Sequence, residues 1–219
     1  MPDGLSSSDG SYRSELFRKG IHLCSLLIPV FYYFATKTQA LWVLIPMTAM
    51  FIIVDVARYY STPLREVFMQ TFGWMLRKHE ADSERKRLNG ASFVLISATL
   101  CVLVFPKIIT ITSFSVLIIS DLMAALIGKR FGKHKFLSKS WEGSLAFLLS
   151  GFVVILLTPK IGYYTGEYLI GFAAVVIGTL VEAFSIWIDD NLSIPISVGL
   201  TMWLLYFLAF PMLDIFKLG

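Results

Sequence analysis

Ile108-Ile-Thr-Ile-Thr-Ser-Phe-Ser-Val-Leu-Ile-Ile-Ser-Asp121-Leu-Met-Ala-Ala-Leu-Ile127 is a run of 20 residues with one charge, followed directly by Gly128-Lys-Arg-Phe-Gly132-Lys-His-Lys135. About 20 apolar residues are what an α-helix needs to cross the hydrocarbon layer of a bilayer. Bases gathered at the end of such a run mark the cytoplasmic side. Working outward, further apolar windows lie at 20–35, 40–56, 91–105, 144–158, 168–188 and 194–216. Composition agrees: of 219 residues 56% are hydrophobic and only 16% charged. With the 15 glycines the apolar share is roughly 63%, against ~45–50% for soluble domains. A globule of this size lacks the interior to hide so much apolar surface. The reading is an all-α, polytopic integral membrane protein of about seven transmembrane helices. Cys24 and Cys101 sit inside apolar runs without any CxxC or His/Cys cluster, and read as two buried small hydrophobes.

Orientation follows from the bases. Fifteen of the 19 Lys and Arg fall on one side: three in the N-terminal tail, seven in the second loop and five in the fourth. Lys37, Lys107, Lys160 and Lys217 fall on the other. That asymmetry predicts N-in, C-out, and it assigns the net charge of +4 to membrane orientation, with no nucleic-acid partner. Residues 1–14 read as a flexible tail that is not a cleaved signal, and 15–219 as a single transmembrane domain. In the segment 58–90, Leu64, Val67, Phe68, Phe72, Met75 and Leu76 recur near the helical period behind Pro63. They predict an amphipathic helix lying in the interface, with Trp74 at headgroup depth. Small residues such as Gly151, Gly171 and Gly178 can pack helices within or between chains, so a homo-oligomer is admitted.

The acids near the spans point to chemistry. Asp55, Asp121 and Glu182 lie at or toward the cytoplasmic ends, with Asp189 and Asp190 in the following turn. Asp214 is the one acid near the opposite interface. A carboxylate within a membrane is costly unless it faces a polar cavity or a cation. Acids able to hold Mg²⁺, ringed by bases, suit a phosphorylated anion. Asp121 and Gly128 are seven residues apart and share a helix face within about 20°. Gly128 and Gly132 would let a ligand approach the backbone, with Lys129, Lys133 and Lys139 in reach of phosphate oxygens. Helix-packing glycines beside an anchoring loop are the plain alternative. Glu182 and Asp189 repeat the spacing. Asp190 and Asn191 either add oxygen donors or cap the last span. Arg18, Lys19 and His22 either anchor the first span or line the site.

In these elements the chain resembles the CTP-dependent lipid kinases: phytol kinase, the catalytic portion of dolichol/polyprenol kinase and yeast-type diacylglycerol kinase, akin to phosphatidate cytidylyltransferases. The resemblance rests on Glu15-x-x-Arg18-Lys19-x-x-His22, Glu84-Arg85 leading to Asn89-Gly90, Asp121-x-x-Ala124-Ala125-x-x-Gly128-Lys-Arg-Phe-Gly132-Lys133, Lys139-Ser-Trp-Glu142-Gly143-Ser144, and Glu182 followed by Asp190-Asn191-x-x-x-Pro195. It implies transfer of the γ-phosphate of CTP to a membrane lipid alcohol at the cytoplasmic face, with Mg²⁺. It implies catalytic roles for Asp121, Glu182 and Lys139, and a metal held by Asp121, Glu182 and Asp190. Nucleotide contacts would come from Arg18, Lys19, His22, Asn89, Gly128, Lys129, Gly132, Lys133, Glu142, Gly143 and Asn191, with 128–144 as the phosphate-binding loop. A cytidylyltransferase making a CDP-lipid is the second reading, and a transporter or scaffold the third.

Overall fold

The computed structural model describes residues 18–73, 88–184 and 188–216. The expected tail over 1–14, Glu15, Glu84, and residues 74–87 of the interfacial segment, Trp74 included, lie outside them. Residues 18–24 are helical and lead through a two-residue turn into α1 (Leu27–Phe34). Then come α2 (Lys37–Ala57), α3 (Thr62–Phe72), α4 (Gly90–Val104) and α5 (Lys107–Phe131). A short hairpin, β1 (Lys135–Phe136) and β2 (Lys139–Ser140), precedes α6 (Trp141–Leu157), α7 (Thr165–Phe184) and α8 (Asp190–Ala209).

Each of the seven apolar windows contains helix, the sixth described as far as Phe184 and the seventh helical as far as Ala209. The helices α2, α5, α7 and α8, of 20 to 25 residues, are long and apolar enough to cross a membrane. The apolar helices α4 and α6, of 15 and 17 residues, are shorter, and the first window is broken at Ser25–Leu26. Side chains and prolines set the boundaries. Thr36 and Gln39 form a reciprocal capping box at the start of α2. Asn89, Ser140 and Asp189 cap α4, α6 and α8 by accepting from the amides of Ser92, Gly143 and Asn191. Pro63 stands in the first turn of α3, as its position in the sequence predicts. The cap of α8 is thus Asp189, not Asp190 or Asn191. The seven-residue spacing of Glu182 and Asp189 carries no shared face, because they belong to different helices.

The axis of the bundle is α5. Within its most apolar stretch 72% of residues are buried, against 22% for the peripheral α2. Around it pack α6, α8, α1 and α4, while α7 closes on α6 and α8 and α2 leans on α4. Lipid offers little driving force for helices to associate, so close approach and internal hydrogen bonds carry the packing. A Cβ on Gly171 would lie 2.6 Å from Ile155, and one on Gly178 2.7 Å from Val198. These glycines, and Gly151 against Val175, are engaged within the chain. Of the two cysteines only Cys101 is buried; Cys24 is exposed on the first helical segment, which corrects the expectation for it.

A buried acid at the end opposite the hairpin also departs from the expectation. Glu167, in the first turn of α7, is 0% exposed. It accepts the amides of Ile161 and Gly162 at 2.8 Å and of Tyr164 at 3.0 Å, and the Tyr206 hydroxyl at 3.0 Å. Beside it Lys160 donates to the carbonyls of Ile155 and Thr158 at 2.6 Å, closing the end of α6.

Candidate active site

The site forms where the start of the first helical segment, the ends of α5 and α7 and the starts of α4, α6 and α8 meet. Asp121 lies in the second half of α5, ten residues before its end, and is 7% exposed. The ammonium of Lys19, itself 4% exposed, pairs with the Asp121 carboxylate and donates to its main-chain carbonyl at 3.2 Å. His22, one turn along, brings Nδ1 to 3.7 Å of the same carboxylate. A second set lies across the gap. Lys139, on β2, reaches Glu182 Oε1 at 3.2 Å and Asp190 Oδ2 at 2.9 Å. Burial opposes the charge on Lys139, but Asp190 and Glu182 outweigh it and hold the ammonium well above the ordinary lysine range. Ser144 Oγ sits 3.5 Å from Glu182 Oε2.

Two cavities adjoin these pairs. The larger, about 470 Å³, has apolar walls from Ile21, Met50, Phe51, Val54, Phe68 and Val94, with His22, Asn89 and Asn191 at its polar end. The smaller, about 380 Å³, is lined by Ala124, Ala125, Gly128, Lys129, Lys139, Ser140, Gly143 and Glu182. Arg18, Lys19, Asp121 and Asp190 line both. The N-terminal residues of α4 and α8 lie on the first and those of α6 on the second. Helix N-termini carry partial positive charge and unpaired amides, which favour an anion there.

Twelve of the sequence-predicted residues therefore converge: Arg18, Lys19, His22, Asn89, Asp121, Gly128, Lys129, Lys139, Gly143, Glu182, Asp190 and Asn191. Gly132, Lys133 and Glu142 line neither cavity. Lys133 is exposed, and Glu142 turns to His134 Nδ1 at 2.8 Å. The glycines serve packing. A Cβ on Gly143 would lie 3.0 Å from the Ala124 carbonyl and 3.3 Å from Gly128 Cα, and one on Gly132 2.8 Å from the Oγ of Ser140, the cap of α6. Their bare faces let α5 and α6 touch and so build the cavity wall. Asn89 is likewise engaged: its Oδ1 caps α4, and its Nδ2 and main-chain amide donate to Asp55 at 3.2 and 2.6 Å.

Among the described residues no three His, Cys, Asp or Glu side chains are grouped to hold a metal ion. Asp121 is separated from Glu182 and Asp190 into lysine-paired sets because each lysine supplies the positive charge the carboxylates need. Mg²⁺ rarely asks for a protein cage: it takes one or two carboxylates and completes its shell with water and substrate phosphates. Asp190 fits that requirement, since its Oδ1 is buried without a hydrogen-bond partner.

Sequence reasoning missed the apolar wall, whose Met50, Phe51 and Val54 look like any packing residues, and the support beneath it. Asp55, 0% exposed, also accepts Ser92 Oγ at 2.9 Å and pairs with Arg58 Nε at 2.9 Å. The Arg58 guanidinium lies 4.6 Å from the ring centre of Phe68, which closes the larger cavity from α3. Asp55 was visible as an acid ending a span; its partners were not.

The chain is 33% identical over 190 residues to an uncharacterised protein of Rickettsia prowazekii, covering 85% of this chain and 92% of that one. It is 33% identical over 89 residues to the phytol kinase of Synechocystis, 38% of each chain. It is 25% identical over 228 residues to the CTP-dependent diacylglycerol kinase 1 of Schizosaccharomyces pombe, across 94% of this chain and the whole of that one. No protein-family model matches the chain, and no solved structure does.

Proposed function

We propose that this chain, which belongs to the CTP-dependent lipid kinase family, transfers the γ-phosphate of CTP to the hydroxyl of a membrane lipid alcohol. The observation that carries the reading is the pair of cavities, one apolar and one polar and basic, sharing the wall of Arg18, Lys19, Asp121 and Asp190. A lipid acceptor belongs in the first and a nucleotide's phosphates in the second. Their reacting ends then meet at the shared wall. In this reading the bundle spans the bilayer about seven times, N-in, with the site at the cytoplasmic face.

Phosphoryl transfer asks the protein for positioning and charge neutralisation more than for covalent help. The phosphates lie against the N-terminus of α6, with Lys129 and Arg18 beside them. Lys139, held by Glu182 and Asp190, keeps one ammonium aimed at the same space. Asp190 with Asp121 or Glu182 would hold Mg²⁺, which supplies charge neutralisation to the phosphate oxygens. The acceptor oxygen bonds to the γ-phosphorus, the bridging P–O bond breaks and CDP leaves. Asp121, oriented by Lys19, is the carboxylate placed to take the hydroxyl proton. CTP as donor is supported by the name of the S. pombe relative. The acceptor class is supported by the names of both kinases.

The test is CTP labelled at the α or the γ phosphate, given with Mg²⁺ and a mixture of lipid alcohols and phosphatidate to the purified protein. Lipid label from γ alone is the expected result. Label from α with release of pyrophosphate would make the chain a cytidylyltransferase, and no label from either would overturn the enzyme reading.

A further inference from the structure

The connection between α5 and α6 carries more charge and more exposed apolar surface than the proposed chemistry uses. Five Lys and Arg fall between residues 129 and 139, with no acid among them. Lys129 and Lys139 line the polar cavity. Arg130, Lys133 and Lys135 instead face outward and make no ion pair among the described residues. Glu142, the neighbouring acid, is engaged with His134. Interleaved with these bases are Phe131 and Trp141, each 52% exposed, and Leu137, 41% exposed at the hairpin tip. The flanking elements are two apolar helices, so the connection emerges where helix ends meet lipid headgroups. Bases set among exposed aromatic residues at that depth match an anionic lipid surface in both charge and polarity. A soluble acidic partner would answer the charge alone.

We infer that Arg130, Lys133 and Lys135, with Phe131, Leu137 and Trp141, form a docking surface for anionic phospholipid headgroups of the adjoining leaflet. The hairpin also links that surface to the site. Ser138 donates its amide and hydroxyl to the Ala183 carbonyl at 3.1 and 2.6 Å, one residue from Glu182. The next residue along the strand is Lys139. Lipid engaged by the hairpin therefore bears on the placement of Lys139.

The test uses the full chain in phosphatidylcholine nanodiscs containing brominated phosphatidylglycerol or, separately, brominated phosphatidylcholine. The Trp141 contribution to quenching is the wild-type signal less that of Trp141→Phe. Phosphatidylglycerol should quench Trp141 more strongly, since each base near the surface enriches an anionic lipid about fivefold, and added salt should weaken the preference. Arg130→Glu with Lys135→Glu should abolish it. Should that pair fail to fold, Arg130→Gln with Lys135→Gln should reduce it. Equal quenching by both lipids, or a preference that survives removal of the charges, would overturn the proposal. This readout involves no nucleotide, so it stands or falls separately from the kinase assignment.

Discussion

The two ends of the bundle bury charge in opposite ways. At the end away from the hairpin, Glu167 is surrounded by three backbone amides and a tyrosine hydroxyl, and Lys160 by carbonyls. Those partners belong to helix ends and a tight turn, and they cannot leave without unravelling the chain. At the other end Asp121, Glu182 and Asp190 are met by two lysine side chains, beside cavities, with one carboxylate oxygen still open. Side-chain partners can exchange for a ligand at little cost to the backbone. Burial alone therefore does not mark a functional acid. What separates the two ends is that the acids of the site meet lysine side chains beside cavities.

The contrast is broken most directly by Asp121→Asn. It should lower phosphoryl transfer by the folded protein about a thousandfold in the γ-label assay, and it should also lower the unfolding temperature, because the buried Lys19 ammonium loses its anionic partner. A folded variant with wild-type turnover would make Asp121 a packing residue. Lys139→Met should lower kcat/KM for the nucleotide about a hundredfold, with Lys139→Arg recovering part of it. Because its ammonium is held above the ordinary lysine range, titration of Lys139 should not limit the rate at alkaline pH up to that range.

At the other end Glu167→Gln should cost about 2 kcal/mol of stability and Tyr206→Phe about 1 kcal/mol, read by thermal unfolding in detergent. The folded fraction should keep its kcat. Asp55 sharpens the comparison, since it lies at the site end yet is satisfied like Glu167. Asp55→Asn should destabilise the fold and raise KM for the lipid through Phe68 and Asn89, leaving KM for the nucleotide nearly unchanged. The smallest effect belongs to Lys160, whose burial pushes its pKa down to about 8 against a weaker opposing pull from Glu167. Between that value and the ordinary lysine range the unfolded chain binds more protons than the folded one, so stability should rise with pH. Lys160→Met should remove that slope.

What could be read from the chain and what could not differ by kind of interaction. Helical hydrophobic windows are local properties, and the 20-residue run ending at Ile127 became part of α5. Asp121, Glu182 and Asp190 stood out because charge is rare in such a chain. Gly132, Lys133 and Glu142 sit in the same motif as true cavity residues, yet the hairpin turns them away. Nothing local separates them, because the turn is held by Ser138 on Ala183, 45 residues along. Glu167 was overlooked for a similar reason: its hydrophobic window begins one residue later, and its partner Tyr206 is 39 residues away.

The sequence by itself determined a helical bundle suited to a bilayer, with acids and bases gathered toward one side, because transfer from water to lipid acts on each segment independently. Tertiary structure alone decided which lysine meets which carboxylate, that the glycines join α5 to α6, and that an apolar and a polar cavity share one wall. Those outcomes depend on distances between helices far apart in the chain, and no single segment contains them.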